Sequence, residues 1–212
     1  MIIEGPNLLS AAHAAGIKPV AVFGTREGLS RYGAAGVVLS EGVFKAIADA
    51  QAPQGIAAEI PLPALRREGT WVFLEAVQDA GNVGAIIRSA AAFGAGAVIL
   101  DRACADPWSP KVLRAGAGGH FALQITHVDD LAPLVQGFAG KVICTLPRGG
   151  APAAPVKGRA GWIFGSEGGG VSPQLQALAA EKVTLPMSAT ESLNVAATAA
   201  ICLYLSRPGA GS

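Results

Sequence analysis

From residue 70 to residue 207 the sequence keeps one rhythm, a short apolar run followed by a stretch with helical spacing. The runs are WVFLEAV, AVILD, FALQITHV, KVICTL, GWIFGS and KVTLP, and the helical patterns lie from about Asn82, near 109–115 and from near Ser192. Strands covered on both faces read as continuous apolar runs, whereas half-exposed strands alternate. The rhythm therefore predicts an α/β fold, with a largely parallel sheet and helices on both faces. In such sheets ligands bind outside the carboxyl ends of the strands. Gly-rich or polar turns follow several of those ends: QDAGN, PRGG, GSEGGG and MSATESLN.

Ahead of this region, KPVAVF (18–23), GVVL (36–39) and IAAEI (56–60) read as strands between helical patterns at 6–15 and 40–50, a small α/β unit. The stretch PLPALRREG joins two prolines to adjacent charges. It divides the chain into a unit over 1–62, a linker over 63–69 and a larger domain over 70–212. The 212 residues are 51% hydrophobic, enough for one full core and a small accessory domain.

No window approaches the roughly 18 apolar residues of a membrane span. MIIEGPNLLS lacks the basic region and long apolar core of a signal peptide, so a soluble, cytoplasmic protein is expected. Cys104, Cys144 and Cys202 are odd in number with no CxxC pair, and read as buried small hydrophobes. His13, His120 and His127 show no ligand spacing, so no metal is expected. A net charge of +1 announces no nucleic-acid partner. Any basic surface must be local, with Arg66 and Arg67, Lys111 and Arg114, and Arg148, Lys157 and Arg159 as candidates, each of which alone reads as a solvated charge.

Three segments carry chemistry. In the first, residues 77–100, Asn82 can cap a helix whose apolar stripe is Val83, Ile86, Ala90 and Phe93, with Gly94 placed to end it. Arg88 points away from that stripe, either as a plain exposed arginine or as one reaching toward a substrate. In the second, GWIFGSEGGGVSPQL, a strand enters a glycine-rich turn and then a helix begun by Ser172 and Pro173. It fits neither a P-loop nor a dinucleotide fingerprint, and Glu167 inside the turn would repel phosphate but attract a cationic or hydroxyl-bearing ligand. In the third, residues 182–207, a strand and a polar loop lead to an apolar helix that should be heavily buried. There Ser192 and Asn194 serve equally well as helix-start residues or as ligand contacts, and the loop suits an uncharged ring such as adenine or ribose.

Taken together and in this order, NVGAIIRSA, FGSEGGGVS and LPMSATESLNVAATAA resemble the three motifs of the SpoU/TrmH branch of the SPOUT RNA methyltransferases. The resemblance covers roughly residues 70–207. EGPNLL, SEGVF and APQGIAAEIPLP look like that family's ribosomal-protein-type substrate-binding domain, here with a shortened N-terminus. The resemblance implies a C-terminal trefoil knot, dimerisation through the methyltransferase domain, and S-adenosylmethionine as cofactor. It implies cofactor contacts at Thr145, Leu146, Gly149, Gly165, Gly168, Leu185 and Leu193. It makes Arg88 the chief catalytic residue and places Asn82, Glu167, Ser192 and Asn194 in the catalytic site.

The implied reaction is methylation of a ribose 2′-hydroxyl in RNA, with 23S ribosomal RNA ahead of transfer RNA, and with a non-catalytic RNA-binding module of the same fold as the alternative from another class. Two roles stay open for Arg88. As a base its guanidinium would have to give up a proton it ordinarily keeps; as a cation it would position a phosphate and stabilise alkoxide charge. Ser188, Ala189 and Thr190 stand where the third motif usually has a glycine, and Ala196 where serine is common.

Overall fold

The computed structural model describes residues 1–61, 68–188 and 192–210. The expected linker therefore lies outside the described residues as far as Arg67, as do the candidate cations Arg66 and Arg67 and the motif residues Ala189 and Thr190.

The first sheet contains β1 (Ile2–Glu4), β2 (Ala21–Thr25), β3 (Val37–Leu39) and β4 (Ile56–Glu59), in the order β1-β4-β2-β3. β2 and β3 run parallel, and β4 runs antiparallel to both its neighbours. Three helices accompany it: α1 (Pro6–Ala14), α2 (Arg26–Arg31) and α3 (Glu41–Ile47). β1 and α2 carry no legible sequence period. β1 is three residues long and depends on its β4 ladder, and α2 reads REGLSR and is started by the Thr25 hydroxyl, which accepts from Gly28 N at 3.0 Å.

The second sheet has seven strands, all pairing in parallel. They are β5 (Trp71–Leu74), β6 (Ala97–Asp101), β7 (Gln124–Val128), β8 (Lys141–Thr145), β9 (Ala151–Pro152), β10 (Ala160–Phe164) and β11 (Glu181–Thr184), in the order β7-β6-β5-β10-β8-β11-β9. The connecting helices are α4 (Ala80–Ala92), α5 (Pro110–Gly116), α6 (Ala132–Gln136), α7 (Pro173–Leu178) and α8 (Val195–Leu205), with a 3-10 turn at Gly119–Phe121. Successive strand residues face opposite sides, so Val72, Leu74, Trp162 and Phe164 pack beneath α4 and α8. Phe73, Ile99 and Ile163 pack beneath α6 and α7. Both faces are thereby covered, the reason the strands read as unbroken apolar runs. No helix among the described residues is long and apolar enough to cross a membrane.

Three local expectations are corrected. Asp79, not Asn82, caps α4, its carboxylate accepting from Asn82 N at 2.8 Å; Asn82 falls in the first turn and its side chain is free for other partners. α8 opens at Asn194 rather than near Ser192, and of the two expected helix-start residues Asn194 is the cap, accepting from Ala196 N at 2.8 Å. α8 is not heavily buried: Ala199, Cys202 and Leu203 face the sheet, whereas Ile201 and Tyr204 remain 41% and 49% exposed. A helix lying on the outer face of a sheet buries one stripe, and nothing among the described residues covers the other.

The two sheets meet through one apolar cluster, in which Ile3, Leu8, Ala12, Ala58 and Ile60 pack with Leu113 and Phe121. Arg114 of α5 pairs with Asp49 at 2.8 Å beside it.

Candidate cofactor cleft and active site

A cleft of about 450 Å³ opens at the carboxyl ends of β8, β10 and β11. That volume is within the range of about 300–1,000 Å³ usual for small-molecule sites. Thr145, Leu146, Gly165, Gly168, Leu185 and Leu193 line it, as do Glu167, Ser192 and Asn194. Gly149 does not. There the chain turns outward at φ 79° toward β9, and Gly150 N is tied to Thr184 Oγ1 at 3.0 Å. Gln176, Val183, Met187 and Thr198 also line the cleft and were not singled out in the sequence. Thr198 was within reach of sequence reasoning, since it sits four residues beyond Asn194 on the same helix face.

Backbone geometry makes the floor. A side chain at Gly165 would place its Cβ 2.0 Å from the Gly170 carbonyl oxygen, so the chain enters and leaves the 166–170 loop in direct backbone contact. Within the loop Ser166 Oγ accepts from Gly169 N at 3.0 Å and Gly170 N donates to Ser166 O at 2.9 Å, with Gly170 at φ 64°. The exit is tied to β5, because the Glu75 carboxylate accepts from Ser172 N at 2.7 Å.

A chain of side-chain hydrogen bonds closes the rim. Asn82 Nδ2 donates to Glu167 Oε1 at 2.5 Å, and Asn194 Nδ2 donates to Asn82 Oδ1 at 2.9 Å. Three segments far apart in sequence are thus joined through one amide. The loop ahead of α4 that aims Asn82 is itself held hard. Ala76 sits at φ 53°, unfavourable for a residue with a Cβ, and its N–H donates to both oxygens of Asp101 at 3.0 and 3.1 Å. Val77 N donates to Cys104 Sγ at 3.3 Å.

Arg88 lies six residues beyond Asn82 on α4, an axial distance of about 9 Å. It is exposed, makes no hydrogen bond or ion pair among the described residues, and does not line the cleft. The structure therefore brings Asn82, Glu167 and Asn194 into contact, sets Ser192 on the cleft wall, and leaves Arg88 apart on the adjoining surface.

Among the described residues Glu167 is the only charged side chain lining the cleft, which suits an uncharged or cationic ligand. The three cysteines are buried, as expected. Burial, with Asp101 nearby, pushes the Cys104 thiol up to about 12, and burial alone does the same for Cys202. Cys144 rises to about 11, again chiefly through burial. None is primed as a nucleophile. Among the described residues no group of three or more His, Cys, Asp or Glu side chains could hold a metal ion.

Residues 69–204 match the sequence pattern of the SpoU rRNA Methylase family. The chain belongs to that family. A SpoU relative in Bacillus subtilis, the 23S rRNA (guanosine(2553)-2′-O)-methyltransferase RlmP, is 36% identical over 79% of this chain and 70% of its own length. The solved structure of a TrmH-family RNA methyltransferase from Porphyromonas gingivalis superposes with a TM-score of 0.83 at 33% identity, covering 97% of this chain and 88% of that one. An AdoMet-bound rRNA methyltransferase from Sinorhizobium meliloti superposes with a TM-score of 0.77 at 26% identity, covering 96% and 85%. These SpoU structures share the α/β fold and mostly parallel sheet, and the matched span contains the motifs NVGAIIRSA, FGSEGGGVS and LPMSATESLNVAATAA that carry the site.

Proposed function

We propose that this chain methylates a ribose 2′-hydroxyl of RNA with S-adenosylmethionine, and that its substrate is 23S ribosomal RNA. The observation that carries the reading is the hydrogen-bonded chain Glu167–Asn82–Asn194 at the rim of a cleft whose walls offer backbone and uncharged side chains. The family membership and the activity in the name of the Bacillus relative support the same chemistry and the choice of RNA.

The cleft fits the cofactor in size and in lining. Leu146, Leu185 and Leu193 offer apolar contact for an adenine ring, and Thr145 and the 166–170 loop offer hydrogen-bonding groups for ribose and amino acid. Among the described residues Glu167 is the one lining charge, and it favours a cationic ligand. When bound, S-adenosylmethionine supplies a methyl group on a positively charged sulfur. The chain's own residues then have three tasks. Asn194 fixes Asn82, and Asn82 fixes Glu167 with one carboxylate oxygen committed and the other left to orient a hydroxyl at the rim. Ser192 supplies a further hydroxyl on the wall. Arg88, exposed and paired with no described residue, meets the phosphate beside the target ribose and stabilises the developing alkoxide. This cationic role requires no deprotonated guanidinium and is the one adopted.

The reading includes an RNA-holding N-terminal unit over 1–62, a linker over 63–69, a methyltransferase domain over 70–212, and action in the cytoplasm without a metal. It also includes a trefoil knot. In support, the chain after β8 goes outward to β9, inward to β10 and outward again to β11, and Val156 N in the intervening loop donates to Leu205 O of α8 at 2.9 Å. A homodimer through the methyltransferase domain would cover Ile201 and Tyr204.

The test is transfer of labelled methyl from S-adenosylmethionine to total RNA from cells lacking this protein, separated by size, for wild type and Arg88→Ala. Label in the large ribosomal RNA that is lost in R88A is expected. Label in transfer RNA moves the substrate assignment, and cofactor and RNA binding with no transfer at all overturns the enzymatic reading.

A further inference from the structure

His120 is completely buried, and the reaction outlined above makes no use of it. Its Nε2 lies 2.8 Å from the carbonyl oxygen of Pro107. A carbonyl only accepts, so Nε2 carries the proton and donates, and Nδ1 is left as a bare acceptor without a hydrogen bond. Burial keeps the ring neutral by pulling its pKa down to about 4. An apolar side chain of similar size would fill this space without stranding a buried acceptor. What histidine adds is the N–H at Pro107.

That bond joins the two ends of α5. Pro107 and Trp108 precede the helix, the 3-10 turn containing His120 follows it, and the Trp108 ring packs on the imidazole at 5.5 Å between centroids. Gly116, the last residue of α5, lies so close that a Cβ there would stand 2.4 Å from His120 Cε1. The same turn is the surface on which α4 rests at Arg88. A Cβ on Gly119 would be 3.1 Å from the Arg88 Cα and 3.1 Å from the Ile87 carbonyl oxygen, so a side chain there would push the α4 backbone back by a few tenths of an ångström.

We propose that His120 is a positioning residue for Arg88, its hydrogen bond to Pro107 fixing the turn against which the Arg88 segment of α4 is seated. The inference rests on Arg88 taking part in the reaction.

Three variants test it: His120→Leu fills the space without a donor, His120→Gln places an amide N–H near the position of Nε2, and Gly119→Ala pushes on the Arg88 backbone with His120 intact. The measurements are kcat and KM for RNA and S-adenosylmethionine, cofactor Kd by calorimetry, and Tm. A displacement of a fraction of an ångström at Arg88 should lower kcat about tenfold in H120L and about threefold in G119A, with KM and Kd unchanged, and H120Q should restore most of the rate. The proposal is overturned by H120L with wild-type kcat, or by H120L and H120Q equally impaired. Loss of kcat in step with cofactor binding and Tm, the pattern of a core defect, also overturns it. Should H120L not fold, G119A with wild-type kcat overturns it instead. R88A at full rate removes Arg88 from the reaction and this inference with it, whereas R88A inactive beside unaffected H120L and G119A removes this inference alone.

Discussion

Replacing Gly165 by alanine should open the cofactor cleft from below. The new Cβ would stand 2.0 Å from the Gly170 oxygen, 2.1 Å from the Gly170 carbonyl carbon and 2.3 Å from Val171 N. Ordinary contact starts near 3.4 Å, so the returning backbone must retreat by more than about 1 Å. It has little freedom to do so. Val171 is buried in the sheet core, and Ser172 N is held by the Glu75 carboxylate. The strain therefore falls on the 166–170 loop, whose Ser166–Gly170 bridge must open.

Forcing one methyl into a packed site costs about 1–3 kcal/mol, and each 1.4 kcal/mol is about tenfold in affinity. If the loss is borne by the cofactor loop, S-adenosylmethionine should bind about 10- to 100-fold more weakly in G165A. Calorimetric titration and thermal melting read the two parts separately. Gly168→Ala is the control, because nothing lies within 4 Å of a Cβ there, and its Tm should match wild type. A G165A protein with wild-type Tm and wild-type Kd would refute the account of the cleft floor.

Asn82 touches Glu167 and Asn194 without lining the cleft, so Asn82→Ala should lower methyl transfer by about 10- to 100-fold while cofactor Kd, read by calorimetry, stays close to wild type. Ala76 is held at φ 53°, so Ala76→Gly should raise stability by about 1 kcal/mol in urea unfolding, the reverse of the usual effect of glycine. Between its ordinary 6.5 and the folded value of about 4, His120 takes up a proton in the unfolded chain but not in the folded one. Stability from this group is thus complete above pH 6.5 and falls by about 3 kcal/mol as pH drops to 4, a slope that urea unfolding of H120Q should lack. Ile201→Glu places a charge on the uncovered face of α8 and should give a monomer by sedimentation; an unchanged sedimentation coefficient would remove that face from any dimer.

The strands of the large sheet were legible because burial on both faces forces unbroken apolar runs such as VILD and VICT, a pattern few other environments require. The three site segments were legible as turns at the ends of those strands. What could not be read was which polar residue caps and which one reaches across. Asp79 and Asn82 are both good caps by type, and only the turn held by Asp101 and Cys104 decides that Asp79 takes the backbone and Asn82 the neighbouring carboxylate. The same held for Ser192 and Asn194. Gly149 lies off the cleft, since a glycine after a strand marks a turn without saying which side of the turn a ligand would meet. The face of α8 was overestimated because an apolar sequence records the need for cover, and not whether the same chain provides it. Residues 132–136 and 151–152 gave no pattern because each element is too short to show a period.

A buried polar contact joins Trp162 in the middle of the sheet to Ser206 just beyond α8, whose hydroxyl accepts from the indole N–H at 2.7 Å and donates to Cys202 O at 3.1 Å. Cleft residues are drawn from Thr145 through Thr198. During synthesis, at about 5–20 residues per second, most of the sheet can assemble before α8 has left the ribosome, yet the cleft lacks the wall that Asn194, Val195 and Thr198 supply until it does. A chain stopped ahead of α8 would therefore be foldable in large part but without a complete cleft, and the emergence of α8 becomes the event that closes the site.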